Sequence, residues 1–230
     1  MYGDERYRKK SLSDIVIDYI TKKILTGEYK EGDRILESKI AESLEISRAP
    51  VREGIIELQN QGLLKYIPRK GNFVTKMTME DVKEVFDIRL LLENDIIEIL
   101  INENKLKESD FDKLTEIVDE MVAIARNDMS VTEKMIGINE KDMEFHTFLW
   151  GKSDSCRRVK ILTDLFNQLQ LAMIIDTEIT GDLETTAKDH YNIIKYLKLG
   201  KIEKCKQALK AHIISYSKES IGKDISMISN

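Results

Sequence analysis

Proline and cysteine are scarce in this sequence: two prolines, Pro50 and Pro68, and two cysteines, Cys156 and Cys205, in 230 residues. Two cysteines are too few for a disulfide framework and lack the spacing of zinc ligands, so both are expected to be ordinary buried thiols in a reducing compartment. Long apolar runs are missing as well. The longest, such as Leu171 to Ile175, fall far below the roughly 20 residues that cross a bilayer, which excludes a helical membrane protein. Met1 to Lys10 is charged throughout and no apolar segment follows it, so no secretion signal is expected and the reading is cytoplasmic. No internal repeat or low-complexity segment is visible. With 42% hydrophobic and 33% charged residues, the chain has the composition of a soluble globular protein, and its length suits two domains.

The formal net charge of −5 argues against a general nucleic-acid binder, but the charge is unevenly spread. Residues 1–76 hold 15 basic and 12 acidic side chains, a net of +3, whereas the remainder holds 21 basic and 29 acidic, a net of −8. A basic head on an acidic body is expected where only the head meets phosphate. Both prolines lie in that head, and beyond Thr78 helical periodicity is almost uninterrupted, which places a domain boundary near Lys76 to Thr78.

In the head, a first helix starts at Ser11 or Ser13 as N-cap and runs to Gly27, with Ile15, Val16, Tyr19, Ile20, Ile24 and Leu25 as its apolar stripe. A short second helix spans Glu37 to Leu44, and Glu45-Ile46 makes a tight turn. Ser47 then caps a third helix that runs to about Asn60, with Pro50 in its first turn and Gly62 as its stop. Leu63 to Ile67 and Asn72 to Lys76 read as two strands flanking a basic hairpin tip, Pro68-Arg69-Lys70-Gly71. Helix, helix, turn, helix and basic hairpin make a winged helix-turn-helix. The third helix turns Val51, Ile55 and Leu58 inward. Arg48 and Arg52, four residues apart, share a face at its N-terminal end, where a recognition helix reaches base edges and phosphates. The alternative is that both arginines pair with Glu53 or Glu57 on a solvated face.

The stretch Gly27 to Glu37, then Ile40-Ala41, Ser47-Arg48-Ala49-Pro50-Val51-Arg52-Glu53, Gly62-Leu63 and Gly71 resembles the DNA-binding domain of GntR-family bacterial transcription regulators. That resemblance implies DNA contacts from Ser47, Arg48, Ala49, Pro50 and Arg52 on the recognition helix and from Gly71 at the wing tip, and the basic side chains of that tip, Arg69 and Lys70, are expected to meet DNA with it. Two positions depart from the family pattern. Ser38 stands where several members have a DNA-contacting arginine, and Gly54 replaces the usual alanine, which should cost about 1 kcal/mol of helix propensity.

Residues 77–230 read as six helices in an antiparallel bundle: from a Thr78–Asp81 capping box to about Glu103, then Glu108 to Asn127, Val131 to Trp150, Cys156 to Thr177, Asp182 to Leu199 and Lys201 to Lys218. The fold class is therefore mainly α, a winged helix-turn-helix followed by an all-α bundle. All three histidines fall in the bundle. Asp142 and His146, four apart, project from one helix face. His190 lies 10 residues before Gly200 and His212 lies 12 after it. If Gly200 turns a helical hairpin, they sit about 15 and 18 Å from the bend, at nearly one level. A carboxylate and three imidazoles suit a divalent metal: zinc foremost, with nickel, manganese or iron as alternatives. The bland alternative for each histidine is a hydrogen-bonded or partly exposed residue.

Asp142-Met143-Glu144-Phe145-His146-Thr147-Phe148-Leu149, Asp189-His190 with Ile193-Ile194 and Gly200, and Ala208 with His212 resemble the motifs of the FCD effector domain, and Arg89 and Glu93 match its opening R-x-x-x-E. Aspartate at 189 replaces the usual glutamate, and Asp154 an asparagine. The resemblance implies that Asp142, His146, His190 and His212 bind a metal, beside which a small carboxylate effector docks with Arg89. It implies a cytoplasmic homodimer that reads a palindromic operator in double-stranded DNA. Two alternatives remain: the metal itself is the signal, or the site is a metal-dependent hydrolase, for which Glu144 points to the wrong face to serve as base. Phe145, Phe148 and Trp150 could line an effector pocket, although aromatic residues at helical spacing are more often core.

Overall fold

The computed structural model describes residues 11–175 and 182–213, and the chain divides into two compact units, Met1–Lys76 and Met77–Asn230. In the first unit, α1 (Leu12–Leu25) opens on Ser11, whose hydroxyl accepts from the Asp14 amide while the Asp14 carboxylate accepts from the Ser11 amide. This reciprocal box selects Ser11 over Ser13 as the start. Gly27 follows the helix at φ +72°, a left-handed conformation that glycine adopts without strain. α2 (Glu37–Ser43) and α3 (Arg48–Asn60) complete the helical part. Ser47 holds the N-cap position of α3, but its side chain makes no capping hydrogen bond, contrary to expectation. Val16, Ile20, Ile24, Ile40, Val51, Ile55 and Leu58 form the core. Ile15 lies at the rim of the stripe and is 39% exposed.

The wing differs from a two-stranded hairpin. β2 (Leu64–Ile67) and β3 (Gly71–Val74) pair antiparallel, Leu64 opposite Val74 and Ile67 opposite Gly71. The two-residue strand β1 (Arg34–Ile35) pairs with the other edge of β3, giving the order β1-β3-β2. The second strand thus begins at Gly71, inside the expected turn, because the Arg69 backbone enters the left-handed region (φ 64°) and Gly71 follows at φ +102°.

Gly54 sits where α3 crosses α1. A Cβ built there would lie 2.8 Å from Val16 Cγ1, 2.9 Å from Val16 Cβ and 3.1 Å from the Ser13 carbonyl oxygen. The residue is buried, and its lack of a side chain lets α3 and α1 approach closely.

The second unit is an α-helical bundle. It contains α4 (Met79–Asn102), α5 (Glu108–Arg126), α6 (Val131–Gly151), α7 (Cys156–Ile175), α8 (Leu183–Lys198) and α9, which the described residues follow from 202 to 213. The ends expected at Thr177 and Lys218 lie outside the described residues. Capping boxes at Thr78 and Ser130 start α4 and α6, and Asp182 caps α8. α5 packs on α6 and α8, and α4 on α7 and α8. Their apolar faces enclose one core that includes Ile96, Leu100, Ile117, Met121, Phe145, Trp150 and Phe166. Gly200, at φ +61°, turns α8 back into α9. Of the two cysteines, Cys205 is buried and Cys156 is exposed, so only one is the buried thiol expected. No helix among the described residues is long and apolar enough to cross a membrane.

Candidate functional site

On the head, the start of α3 places Ser47, Arg48 and Ala49 on the surface with Pro50 half-buried, and Arg52 one turn further on. Arg52 does not pair with Glu53 or Glu57. Its Nε donates to Oε2 of Glu37 at the start of α2, 2.8 Å away. Arg69 and Lys70 are exposed at the tip of the wing. A third cation joins them, because β1 runs Arg34 alongside β3: a Cβ on Gly71 would stand 3.4 Å from both Arg34 Nε and Nη2. Sequence reasoning missed Arg34, since a strand of two residues shows no alternation. Its pairing opposite Phe73 is visible only in the fold.

In the bundle, α6 supplies Asp142 and His146, α8 supplies His190 and α9 supplies His212. All four are buried, and one donor atom from each lies within 4.8 Å of every other. The His190 and His212 ring centroids are 4.1 Å apart. Phe145 and Trp150 are fully buried core residues, and Phe145 sets its ring edge-on to those of His146 and His190. Phe148 is partly buried against the core, with Lys152 Nζ over its ring.

The outward nitrogens fix the chemistry inside. His190 Nδ1 is 3.1 Å from the Ala187 carbonyl oxygen, which can only accept, so Nδ1 donates outward and Nε2 faces inward. His146 Nδ1 is 3.0 Å from Glu93 Oε2. Burial would raise the Glu93 carboxyl, but the Arg89 guanidinium and the His146 ring beside it hold it down at about 2. Glu93 is therefore an acceptor from His146 Nδ1, and His146 too turns its Nε2 inward. Burial and the neighbouring His190 ring lower His212 to about 3, keeping it neutral. The surrounding imidazoles, His146 foremost, outweigh burial at Asp142 and keep it well below the usual carboxylate range.

Three ring nitrogens and a carboxylate oxygen thus crowd one point. Asp142 Oδ1 lies 2.8 Å from His190 Nε2, and the Nε2 atoms of His146 and His212 are hydrogen-bonded at 3.3 Å, the tautomer deciding which donates. Atoms this close need a proton or a cation shared between them. Four donors set tetrahedrally at about 2.1 Å from one ion lie about 3.4 Å apart, so a cluster whose donors all lie within 4.8 Å of one another closes on an ion by shifts on the order of an ångström. The residues fit a divalent metal.

Glu93 was matched in the sequence only through its pairing with Arg89. The structure gives it a further place: Oε2 also accepts from Trp150 Nε1 at 3.0 Å, while Oε1 lies 2.9 Å from both Arg89 Nε and Nη2. Arg89 is buried, with Phe166 4.9 Å from its Cζ, and its Nη2 has no partner in hydrogen-bonding alignment among the described residues. Glu144 stays at the surface, 2.8 Å from Lys141 Nζ.

Residues 12–74 match the model of the bacterial regulatory proteins, gntR family, and residues 84–215 match the FCD domain. The chain is 31% identical over 199 residues to YdhC of Bacillus subtilis (strain 168), an uncharacterized HTH-type transcriptional regulator, covering 86% of this chain and 84% of the relative. Among solved structures, E. coli McbR/YncC superposes with a TM-score of 0.75 at 20% identity, covering 91% of this chain and 99% of that one. A putative transcriptional regulator from Rhodococcus sp. RHA1 gives 0.70 at 22% identity, covering 91% and 98%. At these identities the two structures establish the fold.

Proposed function

Because the chain belongs to the GntR family of bacterial regulatory proteins, with an FCD domain as its second unit, it is a DNA-binding transcriptional regulator, and we propose that a small carboxylate bound beside a metal in the bundle modulates its hold on DNA. In this reading Ser47, Arg48, Ala49, Pro50 and Arg52 enter the major groove from α3, and Arg69, Lys70 and Gly71 meet the flanking backbone. Two heads in a cytoplasmic homodimer engage a palindromic operator, one half-site each.

The observation that carries the effector reading is the set of four buried donors, of which His146 and His190 each turn Nδ1 to an acceptor outside the cluster. Asp142, His146, His190 and His212 would hold the metal, zinc foremost for a nitrogen-rich set with one carboxylate. Bound there, the metal supplies positive charge that attracts an acidic ligand. Glu93 orients His146 from outside, as carboxylates behind metal-binding histidines do, and at the same time restrains Arg89. Arg89, buried and paired with Glu93 beside the cluster, is the cation that would meet the ligand's carboxylate. The ligand acts only if it prefers one arrangement of the DNA heads over another.

The test is fluorescence anisotropy of the zinc-loaded protein on duplex from the gene's own upstream region, titrated with a panel of small mono- and dicarboxylates. A change in affinity that one acid produces and Arg89→Met abolishes is the expected result; absence of sequence-specific binding across salt conditions would sink the reading.

A second reading has its own support. Four protein donors complete a four-coordinate zinc site and leave no position for a ligand, which favours the metal itself as the signal. Titrating acids at saturating metal separates the two, since DNA affinity then follows the metal alone. For a hydrolase, the surface ion pair of Glu144 with Lys141 leaves the nearby carboxylate in no position to act as base.

A further inference from the structure

We infer that Glu37 is a positioning residue for Arg52, and that through it Arg52 reads a base while Arg48 anchors the helix on phosphate. The inference rests on the reading of α3 as the recognition helix. Arg52 is 62% exposed on its side chain, and an unrestrained arginine there would have many rotamers to give up on binding. Glu37, fifteen residues earlier and on a different helix, takes the guanidinium at Nε alone, 2.8 Å from its Oε2. Nη1 and Nη2 carry no hydrogen bond among the described residues. Those two nitrogens form the end of the guanidinium fork, the edge that matches O6 and N7 of guanine.

The sign of the charge supports this division. A carboxylate beside an arginine opposes binding to phosphate, so the arginine next to Glu37 is poorly placed as a mere electrostatic anchor. Arg48, one turn earlier on the same face, has no such partner among the described residues and keeps its full charge for the backbone. Glu37 is itself half-buried, with 32% of its side chain exposed, and it is fixed at the first position of α2, so the aim of the fork is set by the helix-turn-helix and not by the DNA.

The test uses the full chain and two duplexes: the site that wild-type protein enriches from a random-sequence library, and a shuffled duplex of equal length. Glu37→Ala is expected to lower the ratio of selected to shuffled affinity about 10-fold, the size of one lost base contact, while binding to the shuffled duplex holds or tightens. Discrimination should relax at one G·C pair, the same pair relaxed by Arg52→Ala, and Glu37→Ala should cause no further loss in the Arg52→Ala background. Glu37→Gln keeps an acceptor for Nε without the charge and should recover most of the ratio. If the alanine variant melts, Glu37→Met, which keeps the stem, carries the same expectation.

A ratio that stays within 2-fold of wild type, a loss equal on both duplexes, a loss that adds to that of Arg52→Ala, or identical behaviour of the alanine and glutamine variants would overturn the inference. If Arg52→Ala itself keeps the ratio, the assignment of α3 fails and Glu37 falls with it. If Arg52→Ala loses the ratio and Glu37→Ala keeps it, only the role of Glu37 fails.

Discussion

Gly54→Ala should destabilise the head, although helix propensity alone forecasts the reverse. Replacing a mid-helix glycine with alanine gains about 1 kcal/mol in an exposed helix. Here the new methyl would stand 2.8 Å and 2.9 Å from two carbons of Val16 and 3.1 Å from the Ser13 carbonyl oxygen, all well inside ordinary contact. None of these atoms can swing away: valine is stiff about χ1 on a helix, and the carbonyl belongs to the backbone of α1. Relief requires α1 and α3 to separate by several tenths of an ångström along a packed seam, and such overpacking costs about 1–3 kcal/mol. The cost wins or cancels the gain, and a net loss of about 1 kcal/mol would lower the melting midpoint by roughly 4–8 °C for a unit of this size. Two probes isolate the head. Trp150, the one tryptophan of the chain, lies in the bundle, so its fluorescence reports that unit while far-UV circular dichroism reports both. The expected result is an earlier first transition by dichroism with the tryptophan transition unmoved. A head that melts at the same temperature or higher in Gly54→Ala would refute the close-packing argument.

Asp142→Asn removes the one anionic donor of the cluster, so zinc should raise the melting midpoint of the wild type but not of the variant. At one hundred times its dissociation constant a ligand contributes about 2.7 kcal/mol, well within reach of calorimetry. At Asp110, burial pushes the carboxyl up, but Lys152 Nζ at 2.6 Å and the Lys107 amide at 2.8 Å prevail and lower its pKa. A depressed folded pKa means stability that is present above the unfolded value, near 3.8, and lost as pH falls through the folded one. Asp110→Asn should therefore cost about 1 kcal/mol at pH 6 through its lost cap and ion pair, and flatten the acid limb of a stability-against-pH curve; an unchanged limb would discount the pair. With a chromogenic disulfide reagent, Cys156 should react promptly in the native chain. Cys205, whose burial pushes its thiol up to about 12, should react only on unfolding. Two fast thiols per native chain would contradict that burial.

Local signals carried most of the fold into the sequence. The capping pairs Ser11–Asp14 and Thr78–Asp81, the stripe of α1 and the glycine turns at 27, 62 and 200 all act within a few residues and were legible. What depends on distant partners was not. β1 exists because Arg34 and Ile35 find Phe73 and Asn72, nearly forty residues away. Gly54 looked like a weakness until Val16 was seen across from it. Arg52 had near candidates in Glu53 and Glu57, yet residues one and five positions away point to other faces of the helix, and its partner stands on α2. In the bundle, spacing placed His190 and His212 on either side of Gly200, and the structure sets them at one level. The tie from His146 to Glu93 spans 53 positions, and no periodicity could announce it.

The cluster of Asp142, His146, His190 and His212 draws on three helices, and its last member stands 70 positions after its first. A chain growing from the ribosome therefore carries two donors on α6 long before α8 and α9 exist, and two neighbours on one helix hold a metal far more weakly than four. Closure of the site must wait for the return of α9 across the bundle. A product cut short before His212 would keep an intact head, able to occupy DNA, with a body that cannot complete its cluster. The arrangement thus ties completion of the four-residue cluster to synthesis of α9, while the DNA-reading part is finished within the first third.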